Sequence, residues 1–139
     1  MLPVETTTPK LVYHLENCKP AGDAPVQSNP FYVGQDLIAC LVVLQPGAVV
    51  PQHSHQHHDE IFDGVEGEGT FILAGQEIAL KPGMTICVPA NTLHSLKAGS
   101  QPWVLRETVH QHVHARHAFK RAFKKRWQKV QEKFSNEQA

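Results

Sequence analysis

No apolar run in this chain approaches the roughly 20 residues needed to cross a bilayer, and the opening MLPVETTTPK has neither the basic start nor the apolar stretch of a secretory signal. A cytoplasmic location is the expectation that follows. Cysteine is scarce: Cys18, Cys40 and Cys87 are an odd set without close spacing, which argues against a disulfide framework and a thiolate zinc knuckle. Cys40 and Cys87 fall within apolar runs and are expected in the core. The sequence has no internal repeat, phosphate-binding glycine loop, helix-turn-helix pattern or G-x-S-x-G nucleophile elbow. Glycine and proline are missing altogether beyond Pro102.

What is present is enough for one core: 139 residues, 41% hydrophobic and 19% charged, the size and composition of a single folded domain. All ten prolines and all nine glycines lie before residue 103, dividing short β-rich runs in the manner of an antiparallel β structure. The predicted strands cover 31–33, 37–44, 49–55, 60–65, 70–73, 77–80, 85–88, 93–96 and 103–109, with turn signals at Gln45-Pro46-Gly47, Ala74-Gly75, Lys81-Pro82-Gly83 and Ala98-Gly99-Ser100. So many short strands must close into a barrel or stack as a sandwich. Residues 1–30 read as an arm that covers a sheet edge or stays loose, 31–110 as the β domain, and 111–139 as a separate C-terminal element.

That last element differs in kind. Residues 1–110 carry five Lys/Arg against eleven Asp/Glu, a net of −6, and residues 111–139 carry eight against two, a net of +6. Phe119, Phe123, Trp127, Val130 and Phe134 fall on a stripe about 80° wide at about 100° per residue, which predicts an amphipathic α-helix. It would pack on its own barrel or on a partner subunit, or lie on an anionic membrane surface. Nucleic-acid binding is disfavoured because nothing supplies a base-reading element.

Histidine carries the chemistry. Of ten, five stand at positions 53, 55, 57, 58 and 94. In an extended strand residues two apart share a face, so His53 and His55 aim together. A turn at 56–59 would return the chain on the neighbouring strand and set Glu60 across from them, and His94, after the turn-like Pro89-Ala90-Asn91-Thr92, would complete a three-His, one-carboxylate set. Such donors suit one divalent first-row ion (Fe, Mn, Ni, Co, Cu or Zn) better than calcium or magnesium.

These residues resemble the cupin superfamily. Its first motif, G(X)5HXH(X)3-4E(X)6G, is met at every fixed position by Gly47-AVVPQ-His53-Ser54-His55-QHHD-Glu60-IFDGVE-Gly67. The second, G(X)5PXG(X)2H(X)3N, is met by Gly83-MTICV-Pro89-Ala90-Asn91-Thr92-Leu93-His94-SLK-Ala98, with Asn91 replacing a Gly and Ala98 an Asn. Asn accepts the left-handed backbone that Gly would supply. The resemblance implies an all-β double-stranded β-helix, or jelly-roll, with His53, His55, Glu60 and His94 as metal ligands. It also implies a metal-dependent enzyme acting on a small polar organic molecule, dioxygenation standing ahead of isomerisation and decarboxylation or lyase chemistry. A non-catalytic metal- or small-molecule-binding or sensing cupin is the alternative. A homodimer is expected, by resemblance and because exposed sheet edges invite pairing.

Around this set, Phe62 and Gly64 share strand parity with Glu60 and would line a substrate pocket, unless Gly64 marks a bulge. The last strand offers two faces, Trp103-Leu105-Glu107-Val109 or Val104-Arg106-Thr108-His110. If the second points inward, Arg106 would bind an anionic substrate group; otherwise it lies on the surface. Glu60 and His57 are the candidates for general acid–base work, His57 being otherwise an exposed loop residue. Asp63 reads as a solvated carboxylate. In strand geometry His110, His112 and His114 share a face that would take up adventitious metal, but no carboxylate follows at ligand spacing, so with His117 they read as a polar surface hinge.

Overall fold

The computed structural model describes residues 10–113. The predicted C-terminal helix, with His114 and His117, lies outside the described residues. Nine strands form among the described residues: β1 (Val26–Val33), β2 (Leu37–Leu44), β3 (Val49–His53), β4 (Glu60–Glu66), β5 (Gly69–Leu73), β6 (Gln76–Leu80), β7 (Thr85–Val88), β8 (His94–Ala98) and β9 (Trp103–His110). They build two antiparallel sheets of order β1-β2-β9-β4-β7 and β3-β8-β5-β6, the jelly-roll expected from the sequence. Each runs within a few residues of its predicted bounds except β1, which starts at Val26 rather than 31. Val26–Val33 hydrogen-bonds along β2, so part of the predicted arm covers a sheet edge.

The continuous apolar run of β2 is explained by burial on both faces. Ile38, Cys40, Val42 and Leu44 point into the barrel with Phe62, Phe71, Leu80, Val88, Leu96, Trp103, Leu105 and Val109. Leu41, with Val104 of β9, is buried on the outer face beneath Cys18, Tyr13, Leu15 and Phe31. Each fully buried aliphatic side chain contributes about 1.5–3 kcal/mol, so the segment before β1 stabilises the sheet as well as flanking it. Cys40 is buried as expected, whereas Cys87 is exposed. Ile86 and Val88 take the inward positions of β7, and strict alternation turns the residue between them to solvent.

Two details set strand geometry near the barrel interior. Trp103 lies so close over Gly69 that a Cβ there would overlap its indole, which is why β5 opens on glycine. Asn91 adopts φ 64, the left-handed conformation expected of it. Its N–H donates to the His55 carbonyl at 2.7 Å, tying the turn of the second motif to the first.

Candidate metal centre

The first motif occupies a crossing between sheets. β3 pairs with β8, while β4 pairs with β7 and β9, so Glu60 does not return on a strand beside the histidines, as a simple turn at 56–59 would have it. It enters from the opposite wall, and this change of sheet is what points it at the histidines across the barrel. His53 faces His94 directly in the β3–β8 register, with ring centroids 4.2 Å apart. His55, just past the end of β3, adds its ring at 5.1 Å from His53 and 5.4 Å from His94. One potential ligand atom from each of His53, His55, Glu60 and His94 lies within 4.8 Å of the other three.

Backbone carbonyls fix two of the imidazoles. His53 Nδ1–H donates to the Pro51 carbonyl at 2.8 Å and His94 Nδ1–H to the Thr92 carbonyl at 2.9 Å, leaving both Nε2 lone pairs for the centre. Phe71 lies parallel to the His94 ring at 6.0 Å. Glu60 Oε2 stands 3.0 Å from His55 Nε2 and 3.1 Å from His94 Nε2. Burial pushes the Glu60 carboxyl up, yet hydrogen bonds with His55 and His94, the charge of His55 and a hydrogen bond with Glu107 bring it down to about 2. His94 is raised: burial lowers it, but the bonds to Glu60 and Thr92 prevail. Burial, above all, holds His53 below its usual value.

The donor set fits a metal ion. Donors about 2.1 Å from one ion at right angles stand about 3.0 Å apart, the separation Glu60 keeps from His55 and His94 here. Two carboxyl groups in contact, Glu60 and Glu107, need a proton or a cation to offset their repulsion. Three imidazoles and one carboxylate suit borderline first-row ions.

A cavity of about 430 Å³ opens beside this cluster, walled by Val42, Val50, Phe62 and Leu96, with Ser28, Gln52, His53 and Glu107 as its polar groups. Phe62 is part of this cavity's wall. Gly64 and Arg106 do not line this cavity; both line a separate surface pocket with Leu15, Asp63 and Thr85. The β4–β9 register shifts between Gly64 and Glu66, and a Cβ on Gly64 would overlap the Lys81 carbonyl; its bareness accommodates the β6–β7 turn and leaves no space beside the cluster. Arg106 belongs to the outward face of β9, where its Nε and Nη2 donate to Asp63 Oδ2 at 3.0 and 2.9 Å. Asp63, which also accepts the Thr85 hydroxyl, is thus a paired carboxylate rather than a merely solvated one. His57 is exposed and belongs neither to the cluster nor to the cavity wall.

Glu107 is the residue that sequence reasoning missed. β9 left two faces open, and the more apolar set, Trp103-Leu105-Val109, carries Glu107 inward with it. The cavity also takes Val26 and Ser28 from β1, which the sequence assigned to the arm.

Residues 40–106 match the family Cupin_2, described as Cupin domain. Over 54 residues the chain is 44% identical to the quercetin 2,3-dioxygenase of Bacillus subtilis (strain 168), a match covering 39% of this chain and 16% of that relative. The chain thus spans far less than two thirds of the curated relative's length. Among solved structures it is similar to TT1209 from Thermus thermophilus (TM-score 0.67, 22% identity, 71% of this chain and 95% of that one). It is similar also to KdgF from Halomonas sp. (TM-score 0.65, 25% identity, 74% and 94%) and to a predicted oxalate decarboxylase from Thermotoga maritima (TM-score 0.58, 21% identity, 61% and 79%). Among the described residues no helix is long and apolar enough to cross a membrane. With the family match lying over the strands that carry the histidines, and the same barrel recurring in these structures, residues 40–106 are a cupin domain.

Proposed function

We propose that His53, His55, Glu60 and His94 hold one divalent first-row transition-metal ion and that the protein uses it as an enzyme on a small organic molecule bound in the adjoining cavity. The observation that carries this reading is His53, which belongs both to the donor cluster and to the cavity wall, so a molecule in the cavity lies against the centre. When bound, the ion supplies Lewis acidity and, if redox-active, a means of engaging dioxygen. Among the three chemistries, dioxygenation is favoured by the likeness to a quercetin 2,3-dioxygenase. It needs no external reductant, because the substrate supplies the electrons and takes both oxygen atoms.

The chain's own residues divide the remaining work. The aliphatic and Phe62 walls exclude water and favour a molecule with an apolar body and a polar handle. Glu60, held at about 2, is too weak a base to take a proton near neutrality and serves as an anionic donor. Glu107, which touches both Glu60 and the cavity, is the group placed to bind the substrate's polar handle or to move its proton.

The test is anaerobic purification, metal analysis, and oxygen consumption with enolic and catecholic aromatic compounds, with His94→Ala as control. Stoichiometric iron, manganese, cobalt, nickel or copper with oxygen uptake that His94→Ala abolishes is the expected result. Stoichiometric zinc, a closed coordination shell and no turnover would instead establish the binding or sensing alternative.

A further inference from the structure

Outside the barrel centre, three imidazoles meet at the surface, two of them from the group that the sequence favoured as a polar hinge. His110 ends β9, His112 follows it, and His58 reaches them from the connection between β3 and β4. One potential ligand atom from each lies within 4.8 Å of the other two. The His58 and His110 rings stack at 4.2 Å with planes 3° apart; His112 lies edge-on at 4.7 Å from His110 and 5.9 Å from His58. His58 and His110 are half-buried and His112 is exposed, so the group is open to solvent and to exchange.

We propose that His58, His110 and His112 form a second transition-metal site, distinct from the barrel centre and sharing no residue with it. A set of neutral imidazoles without a carboxylate selects borderline ions such as Zn(II), Ni(II) or Cu(II), and water or another exogenous donor completes the shell. The site is held in place by contacts independent of the histidines. Gln111 N–H donates to the Asp36 carbonyl at 2.9 Å and Val113 is buried in the barrel core, which fixes the backbone bearing His110 and His112. On the other side, Asp59 Oδ1 accepts the Ala90 N–H at 3.0 Å, anchoring the residue next to His58. An ion arriving there has little ordering entropy to overcome.

One contact opposes it. The His112 N–H donates to His110 Nδ1 at 3.2 Å, so the lone pair of that nitrogen is engaged. The bond is at the long limit for N–H donors, and surrendering it makes this site the weaker of the two. Occupancy would pin the connection that carries His55 at one end and Glu60 at the other to the end of β9.

The full-length chain, stripped with a chelator, is titrated with Zn(II) and with Cu(II), and uptake is measured by elemental analysis after dialysis. Two ions per wild-type chain, one in His110→Asn/His112→Gln and one in His94→Ala are expected. With Cu(II), electron paramagnetic resonance should resolve two signals, of which the His110→Asn/His112→Gln variant loses one and His94→Ala alters the other. Should that variant fold poorly, His58→Asn, a change confined to the connection, should weaken the second equivalent by at least about tenfold, the scale of losing even an outer-sphere partner. Two ions retained in both the double variant and His58→Asn would overturn the proposal. So would one ion in wild type that His94→Ala abolishes, an outcome that leaves the barrel centre standing.

Discussion

Glu60 Oε2 lies 3.1 Å from His94 Nε2, although 34 positions and a change of sheet separate the two residues. Each is buried, at 2% and 1% exposure, and each holds the other's charge in place. His94→Ala removes one donor and leaves a buried carboxylate with fewer partners. The variant should lose tight metal binding by at least about 100-fold, beyond the range for outer-sphere partners, while far-ultraviolet circular dichroism stays that of a β-barrel. Elemental analysis after dialysis checks it, and wild-type metal content in the variant would remove His94 from the ligand set.

The same pair fixes a pH dependence. In the metal-free protein Glu60 sits at about 2, so its contribution to stability is complete above the ordinary carboxylate range and is lost as pH falls through about 2. His94 is raised by Glu60 and Thr92 against its burial, so its contribution is complete below the ordinary histidine range and is lost as pH rises through the raised value. A cation requires His94 neutral at Nε2 and therefore competes with that proton. Metal affinity should climb with pH, up to about tenfold per unit for one proton released, and level off once the raised pKa of His94 is passed. His53, lowered chiefly by burial, gives up its proton at a lower pH than an ordinary histidine. Calorimetric titration in buffers of different ionisation enthalpy reads the release directly, and a pH-independent affinity would contradict it.

Much of this centre was legible because spacing and chemistry coincide in the first motif: two histidines on one face, then a carboxylate past a short connection. The strand bounds were legible for the same local reason, since glycine and proline mark the turns. What spacing could not convey was the partner of each strand. Glu60 was expected beside β3 and lies in the other sheet. Gly64 has the parity of Phe62, but the bulge that follows it and the Lys81 carbonyl decide its surroundings. The two faces of β9 are told apart by tertiary packing on each side: the barrel core on one, the Tyr13–Leu15 segment on the other.

Glu107 is the residue on which that choice of face matters most. Glu107→Gln keeps the size of the side chain and its place in the cavity but removes the acid–base function. If Glu107 handles a substrate proton, turnover should fall by about 100-fold, within the usual range for a lost general acid or base, while one ion per chain is still bound at the barrel centre. A variant that loses metal along with activity would make Glu107 a support for Glu60 instead.

Ala74 offers a test of the turn chemistry away from the site. It joins β5 to β6 at φ 48, followed by Gly75 at φ 82, and Leu73 pairs with Gln76 across them, the pattern of a type I′ hairpin. A left-handed backbone costs a residue bearing an ordinary Cβ about 1–2 kcal/mol, a penalty that asparagine largely escapes. Ala74→Asn should therefore stabilise the protein by about 0.5–1 kcal/mol and raise Tm by about 2–5 °C. Differential scanning calorimetry decides it, and an unchanged or lower Tm would refute the turn assignment.

Arg106 separates the corrected reading of β9 from the one the sequence left open. An arginine pointing into the cavity to hold an anionic substrate would, on substitution, raise KM strongly. Here the guanidinium is paired with Asp63 on the outer face, with 42% of the arginine side chain exposed, where such a pair is worth at most about 1 kcal/mol. Arg106→Leu should lower stability by no more than that and leave kcat/KM within about twofold of wild type, whereas Phe62→Ala, which strips the cavity wall beside His94, should impair it. A large rise in KM confined to Arg106→Leu would return the guanidinium to the substrate and reverse the assignment of the two faces.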